Sequence, residues 1–509
     1  MPTIAGTNPY TGKRLEPIAT ESSDVDVDRI ARGSRSTFGY LRKLGREGRA
    51  RLLESIADAV DIGAEGLIKA ADEETGIGTT RLAAELNRST YQMRFFAEVL
   101  REGSYLEATI DTAGQSPMGP RPDLRRILQP IGPVAVFGSS NFPFAFSILG
   151  GDTASALAAG CPVVLKAHSS HPKTSELSHD VMVAAARNFG APDGTIGIVF
   201  GQDAGSALVR HPLIQAVGFT GSLSGGTALL NVINSRPQPI PFYGELSSLN
   251  PLIVTPNAAM ERGAEIGARL AASITTSAGQ LCTKPGVAFV SEGPDGDALV
   301  RALAEELSAI TVAPLLNQRI FEEYGSITSA LDDLDGVQRI TPRVAQAEKG
   351  FHVSPAVFSI KASKLGPEVV RECFGPSALI VRYSTLPELE SALTTMLGSL
   401  TVTIHFGTGD ENLTARLTEL SVPFAGRILY NDYPTGVNVS WAQTHGGPWP
   451  STNTLHTSVG STAVRRFLRP VTFQDAPASL LPDELQDGPN TIPRRMNGRL
   501  TLPDGPTSR

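Results

Sequence analysis

Three polar side chains, far apart along the chain, together have the makings of a covalent acyl-transfer site. Cys282 closes the segment Gly279-Gln280-Leu281-Cys282. Addition of a thiol to a carbonyl needs the nucleophile, donors for the developing oxyanion, and a base to deliver water. Glu245, within Gly244-Glu245-Leu246-Ser247-Ser248-Leu249-Asn250-Pro251, offers a carboxylate at a strand end before a turn. Asn141, within Ser139-Ser140-Asn141-Phe142-Pro143-Phe144, offers a side-chain amide. One such oxyanion donor is worth roughly a hundredfold to a thousandfold in rate. Each residue also has a plainer reading. A lone cysteine is more often a buried core residue, a lone Glu is more often solvated, and Asn141 reads equally as a helix cap. A free thiol titrates near about 8.5, so a local positive field or a base must raise its thiolate share.

The elements that would position these residues follow from periodicity. Residues 24–110 carry helical spacing, as at 49–59 and 81–100, with no obvious strand. Residues 111–123, rich in Gly, Pro and Ser, read as an exposed loop or arm. From Ile131 onward short apolar runs alternate with helix-like segments. Strands are expected at 134–137, 163–165, 196–200 and 216–219, with small-residue helices at 152–159 and 175–188. That alternation is the pattern of a parallel sheet of βαβ units, which binds ligands beyond the carboxyl ends of its strands. Asn141 falls just there. A second series has strands at 252–254 and 287–290 around a long helix over 258–278, followed by a helix at 298–310. Cys282 stands just past that long helix. From Pro470 the chain carries little periodicity and reads as an arm or a partly mobile tail.

A glycine-rich turn, Thr220-Gly221-Ser222-Leu223-Ser224-Gly225-Gly226, follows the strand expected at 216–219. A strand feeding such a turn into a helix exposes backbone N–H groups that bind phosphate well, although a plain glycine turn has the same look. It is neither the usual dinucleotide fingerprint nor a P-loop, because Thr227 stands where a P-loop needs Lys.

Composition bounds the rest. At 509 residues two or three domains are expected. A net charge of −7 gives no basic footprint for nucleic acid and no polybasic membrane patch. The start lacks a basic-then-apolar signal, and no run approaches the roughly 20 apolar residues of a membrane span. Cys161, Cys282 and Cys373 cannot all pair and none sits in C-x-x-C, which fits a reducing cytoplasm. Neither H-E-x-x-H nor G-x-S-x-G occurs, so a zinc or serine hydrolase lacks a starting point and no metal is expected.

From Asn8-Pro9-Tyr10-Thr11-Gly12 to about Pro470 the chain resembles the aldehyde dehydrogenase superfamily. The matching motifs, in order, are Asn141-Phe142-Pro143, Gly160-Cys161-Pro162-Val163-Val164-Leu165-Lys166, Phe219-Thr220-Gly221-Ser222, Glu245-Leu246, Gly279-Gln280-Leu281-Cys282 and Glu372-Cys373-Phe374-Gly375-Pro376. The resemblance implies that Cys282 forms a hemithioacetal with an aldehyde, with Asn141 and the Cys282 N–H holding the oxyanion. Hydride transfer to a nicotinamide would leave a thioester, hydrolysed by water that Glu245 activates. It further implies that Glu372 grips the nicotinamide ribose beside Phe374, and that Lys166 and Ser222 contact the adenine ribose and the pyrophosphate, with Gly221 and Gly226 in the phosphate turn.

Departures sharpen this. The usual Glu-Leu-Gly-Gly-Lys is here Glu245-Leu246-Ser247-Ser248-Leu249, and Ser140 stands where Trp commonly precedes the Asn. Three residues after Lys166 the family usually has a Glu that repels a 2′-phosphate; here it is Ser169, beside His168. A neutral hydroxyl removes that repulsion, so NADP is favoured over NAD. These departures, with His445-Gly446-Gly447-Pro448 and Arg465-Arg466-Phe467-Leu468-Arg469-Pro470, resemble the branch of 2-oxoglutarate semialdehyde (2,5-dioxopentanoate) dehydrogenases and an NADP-dependent fatty aldehyde dehydrogenase.

The implied fold is α/β. It has a Rossmann-like cofactor domain (1–105 and 130–245), an α/β catalytic domain (246–445), and an oligomerisation element with tail (106–129 and 446–509), assembled as a homodimer or homotetramer. A CoA-acylating relative is disfavoured by the presence of Glu245. A cysteine acyl-transferase or hydrolase without redox chemistry would need a His base on the thiol, and none of the eight histidines lies in a recognisable pairing motif.

Overall fold

The structure, a computed structural model, describes residues 2–343 and 349–503. The last six residues of the expected tail, and 344–348 of the expected catalytic domain, lie outside the described residues.

Four helices open the chain after a two-stranded ribbon: Asp24–Lys43, Gly45–Ile62, Ala64–Thr75 and Thr79–Glu102. The first starts at a reciprocal cap, in which Ser23 and Asp26 satisfy each other's backbone N–H. The first packs directly, and the other three through the helices Gly151–Ala159 and Pro172–Phe189, on a five-stranded, wholly parallel sheet. Its order is Phe242–Glu245, Ala216–Thr220, Val134–Phe137, Val163–Lys166, Ile196–Val199. Val134–Phe137 is central and buried throughout, as a strand covered on both faces must be. Chain order reverses across this strand, so the loops after Phe137 and Thr220 open a crevice at the topological switch point.

A seven-stranded sheet follows, parallel except for one short edge strand. Its interior strands show the two-residue period with both faces buried. Ile253, Phe289 and Val381 enter one core, while Leu252, Val254, Ala288, Val290 and Ile380 enter the other. The fold class is the α/β architecture that the alternation of elements implies.

A third sheet joins distant segments in the order Leu468–Gln474, Leu124–Pro130, Thr109–Asp111, Arg494–Met496, Arg499–Thr501. Here two expectations are corrected. The tail beyond Pro470 is not an irregular arm. It begins in a seven-pair antiparallel ladder with Leu124–Pro130, and Arg125 pins it through the carbonyl of Leu485 and the carboxylate of Asp487. Residues 111–123 are not a simple loop either, since Gly114–Ser116 and Gly119–Arg121 form a hairpin. Both were hidden because their partners are remote or their strands too short for a period. The long helix is shorter than expected: it spans Pro256–Thr275 and gives way to a left-handed turn.

Candidate active site

That turn delivers the thiol. Ser277 and Ala278 both adopt φ of 54° and Gly279 adopts 68°, a conformation unfavourable for the two residues with a Cβ. Gly279 has a second constraint, because a Cβ there would run into the carbonyl of Gly375. The strained segment is held from several sides. Asn141 Nδ2 donates to the Gln280 carbonyl at 2.9 Å, and the Leu316 N–H donates to Gln280 Oε1 at 2.9 Å. Asn250 Nδ2 donates to the Cys282 carbonyl at 2.7 Å. Backbone held off its minimum by this many contacts is typical of functional sites.

Glu245 ends its strand facing the thiol, and the Leu246 N–H bonded to Ser451 O clamps the chain just beyond it. Between the two stands His445. Its Nε2 is 3.4 Å from Cys282 Sγ and 2.9 Å from Glu245 Oε1, while Ser458 Oγ donates to the other carboxylate oxygen at 3.2 Å. Burial alone would raise the Glu245 carboxyl, but His445 and the hydrogen bonds around it hold it below its ordinary value. The thiol goes the other way: burial, then the charge of Glu245, push it well above its usual range. The resting pair is therefore a thiol beside a carboxylate, and the His445 Nε2–H donates to that carboxylate.

His445 was missed as a site residue, and the ground for setting a thiol hydrolase aside does not hold. It lies 163 residues beyond Cys282 and 200 beyond Glu245, and the run His445-Gly446-Gly447-Pro448 marked a branch of the family without pointing to a role for the imidazole. The one legible signal was the small-residue run Gly446-Gly447 after it, which lets that loop pack closely against Ser399 and Thr457.

Beside the thiol a cavity of about 250 Å³ brings together Asn141, Lys166, His168, Gly221, Ser222, Glu245, Cys282, Glu372 and Phe374. Burial pushes the Glu372 carboxyl up to about 7, against a hydrogen bond from Ser247 and the nearby Lys284 ammonium. Lys284 is itself buried and donates to the carbonyls of Cys373 and Ser377, fixing the loop that carries Glu372. The unusual Ser247-Ser248 pair thus has work in the fold, since Ser248 Oγ also donates to Asn250 Oδ1 at 2.7 Å.

The residues of this cavity, together with those of one that adjoins it, suit a dinucleotide. Ser222 caps the helix Leu223–Asn234, leaving N–H groups at its start where an anion is stabilised. The Lys166 amine makes no ion pair or hydrogen bond among the described residues, and burial lowers its pKa to about 8. An adjoining cavity of about 520 Å³ holds Lys166, His168, Ser169 and Gly225, with Ser169 exposed in it. His168 stacks on His171 at 5.4 Å between ring centres, and burial keeps it well below its ordinary value, so it adds no positive charge. Gly226 stands apart from the other candidates. Its N–H is bonded to Ser222 O and its α-carbon packs against Leu246, which makes it a packing glycine rather than a phosphate contact.

A thiol beside a carboxylate, opening into this crevice, is an arrangement that suits an oxidoreductase working through a covalent intermediate. The chain belongs to the aldehyde dehydrogenase family, whose model matches residues 2–467. Two relatives are similar to it over nearly its whole length. "Alpha-ketoglutaric semialdehyde dehydrogenase 2" of Azospirillum brasilense is 42% identical, across 98% of this chain and 96% of its own. "Alpha-ketoglutaric semialdehyde dehydrogenase" of Acinetobacter baylyi is 41% identical over the same shares. Among solved structures, aldehyde dehydrogenase C of Pseudomonas syringae, in complex with NAD+ and octanal, shares the fold with a TM-score of 0.79 at 24% identity, covering 94% of this chain and 95% of that one. Among the described residues no helix is long and apolar enough to cross a membrane.

Proposed function

We propose that the protein oxidises 2-oxoglutarate semialdehyde (2,5-dioxopentanoate) to 2-oxoglutarate, with NADP as its preferred acceptor. What chiefly supports the substrate is the likeness, over 98% of the chain, to two relatives bearing that activity in their names. What supports the chemistry is the contact series Cys282, His445, Glu245.

Cys282 Sγ adds to the aldehyde carbon as the thiolate, its proton having left to bulk water, so that Glu245 stays ionised. The carbonyl π electrons move onto oxygen, and the resulting oxyanion is held by the Asn141 amide and the Cys282 N–H. A bound nicotinamide supplies the acceptor for the hydride that leaves this carbon. Collapse of the oxyanion then leaves a thioester on Cys282. Glu245 takes a proton from water, the hydroxide adds to the thioester carbonyl, and the thiolate leaves as the carboxylate forms. Lys166 and the Ser222 helix start would hold the adenosine and pyrophosphate, while Glu372 and Phe374 would hold the nicotinamide end. A thiol hydrolase would use the same trio, but it has no need of the Lys166 and Ser222 crevice.

In this reading the third sheet is the assembly element of a homodimer or homotetramer, and the enzyme works in the cytoplasm. The experiment is a substrate panel with both cofactors: 2,5-dioxopentanoate, succinate semialdehyde, glutaraldehyde and a long-chain aldehyde. The highest kcat/KM is expected for 2,5-dioxopentanoate with NADP. A long-chain aldehyde in first place would move the protein to the fatty aldehyde reading.

The acceptor preference rests on Ser169, exposed beside Lys166. Ser169→Glu places a carboxylate where the 2′-phosphate would lie, and like charges in contact disfavour binding. Its NADP affinity, measured by quenching of protein fluorescence, is expected to fall about tenfold or more with NAD affinity little changed. An unmoved NADP/NAD ratio would place the determinant elsewhere.

A further inference from the structure

Three guanidinium groups act on the charge of the thiol: Arg81, Arg88 and Arg427. Two have their hydrogen bonds directed elsewhere. Arg81 donates to the Asn141 carbonyl at 2.8 Å and lies 3.9 Å from Glu85. Arg427 spends both terminal nitrogens on the carbonyls of Pro434 and Gly436. Arg88 differs. Its Nε reaches the Val437 carbonyl at 3.3 Å and its Nη1 reaches Gln92 Oε1 at 3.4 Å, both long, while its Nη2 is buried with no partner. Gln92 sits one helical turn further along Thr79–Glu102 and is itself buried, and its Nε2 also lacks a partner. Buried donors are rarely left unpaired, least of all on a charged group, so the Arg88 Nη2 calls for an acceptor, while the Gln92 Nε2 packs against Gly151.

The position of Arg88 says which acceptor. The Arg88 guanidinium lies over the Phe146 ring, 4.9 Å from its centre, and that ring is 5.6 Å from the ring of His445. His445 in turn touches Cys282. Arg88 and Phe146 therefore come to the reacting atoms through His445, and neither lines the cofactor cavity. In an extended five-carbon semialdehyde the far carboxylate lies about 5 Å from the aldehyde carbon. We propose that Arg88 is the anchor for that far carboxylate; this rests on the reading that the substrate is an anionic semialdehyde. A guanidinium fork suits a planar carboxylate, and the Phe146 face beneath it keeps the fork flat and sheltered from water.

The proposal separates from a mere electrostatic or structural role by substrate. Arg88→Met and Arg88→Gln would be compared with the unaltered protein on 2,5-dioxopentanoate and on pentanal, a neutral aldehyde of equal length. For the anionic substrate kcat/KM is expected to fall about a hundredfold, chiefly through KM, since an unpaired buried carboxylate is costly. For pentanal the change in kcat/KM is expected to stay within about threefold, and Arg88→Lys should recover part of the loss on the anion. Equal losses on both aldehydes would overturn the anchor, leaving Arg88 as a support of the thiol or of the fold. So would variants that keep the preference of the unaltered protein for the anion, in which case the substrate reading stands and the anchor alone falls. If the unaltered protein itself prefers pentanal, both fall together.

Discussion

Cys282→Ala is expected to lower turnover by at least about 10⁴-fold, because the nucleophile acts as one unit with its base and cannot be partly replaced. The protein around it should be undisturbed. The segment before Cys282 is held by Asn141, Leu316 and Asn250 through atoms of Gln280 and the Cys282 carbonyl, none of which the substitution removes. Cofactor binding, measured by quenching of protein fluorescence, should change by less than about twofold, because losing Sγ deletes no group proposed to hold the dinucleotide. Substantial residual turnover in the alanine variant would take the chemistry away from Cys282. Lost cofactor binding would show instead that the left-handed turn, and not the thiol, had failed.

Glu245→Gln should separate the two halves of the reaction. General-base assistance is worth about 10²–10⁴ in rate, and steady-state turnover is expected to fall within that range. The first half should survive in the form of a burst of reduced cofactor on mixing. The thiol gives a second reading. The negative charge of Glu245, next after burial itself, holds the Cys282 thiol well above its usual range. A neutral amide removes that charge, so the thiolate forms at lower pH. The rise of iodoacetamide alkylation with pH should therefore move toward neutrality in the Gln variant. A shift toward higher pH would mean that the carboxylate chiefly drains the proton from the thiol; an unmoved profile would mean that the two groups do not interact.

Only two strands of the second sheet and none of the third could be read, whereas the five-stranded sheet was legible because its strands are continuous apolar runs, such as Val134–Phe137, set between small-residue helices. Their parallel pairing then placed the loop of Asn141 and the turn of Ser222 at one crevice, without any contact having to be guessed. Cys282, Glu245 and Glu372 were legible through motifs whose order along the chain survives folding. The helix over 258–278 was drawn too long because Ser277 and Ala278 are ordinary helix residues held in a left-handed turn by partners far off in the chain. His445 was illegible for a related reason. It reaches the thiol only because the chain after the second sheet returns over Glu245, where the Leu246 N–H meets Ser451 O. Arg88 read as one more polar position on a helix, since nothing along the sequence tells an unpaired guanidinium from a solvated one.

In the proposed reaction the substrate becomes an acyl group on Cys282. The most direct test is the intact mass of the Glu245→Gln variant, quenched in acid after mixing with NADP and 2,5-dioxopentanoate, followed by peptide mapping. The account predicts a single added 2-oxoglutaryl group, carried by the peptide that contains Cys282 and formed in step with the burst of reduced cofactor. A burst without an adduct, or an adduct on any other residue, would contradict it.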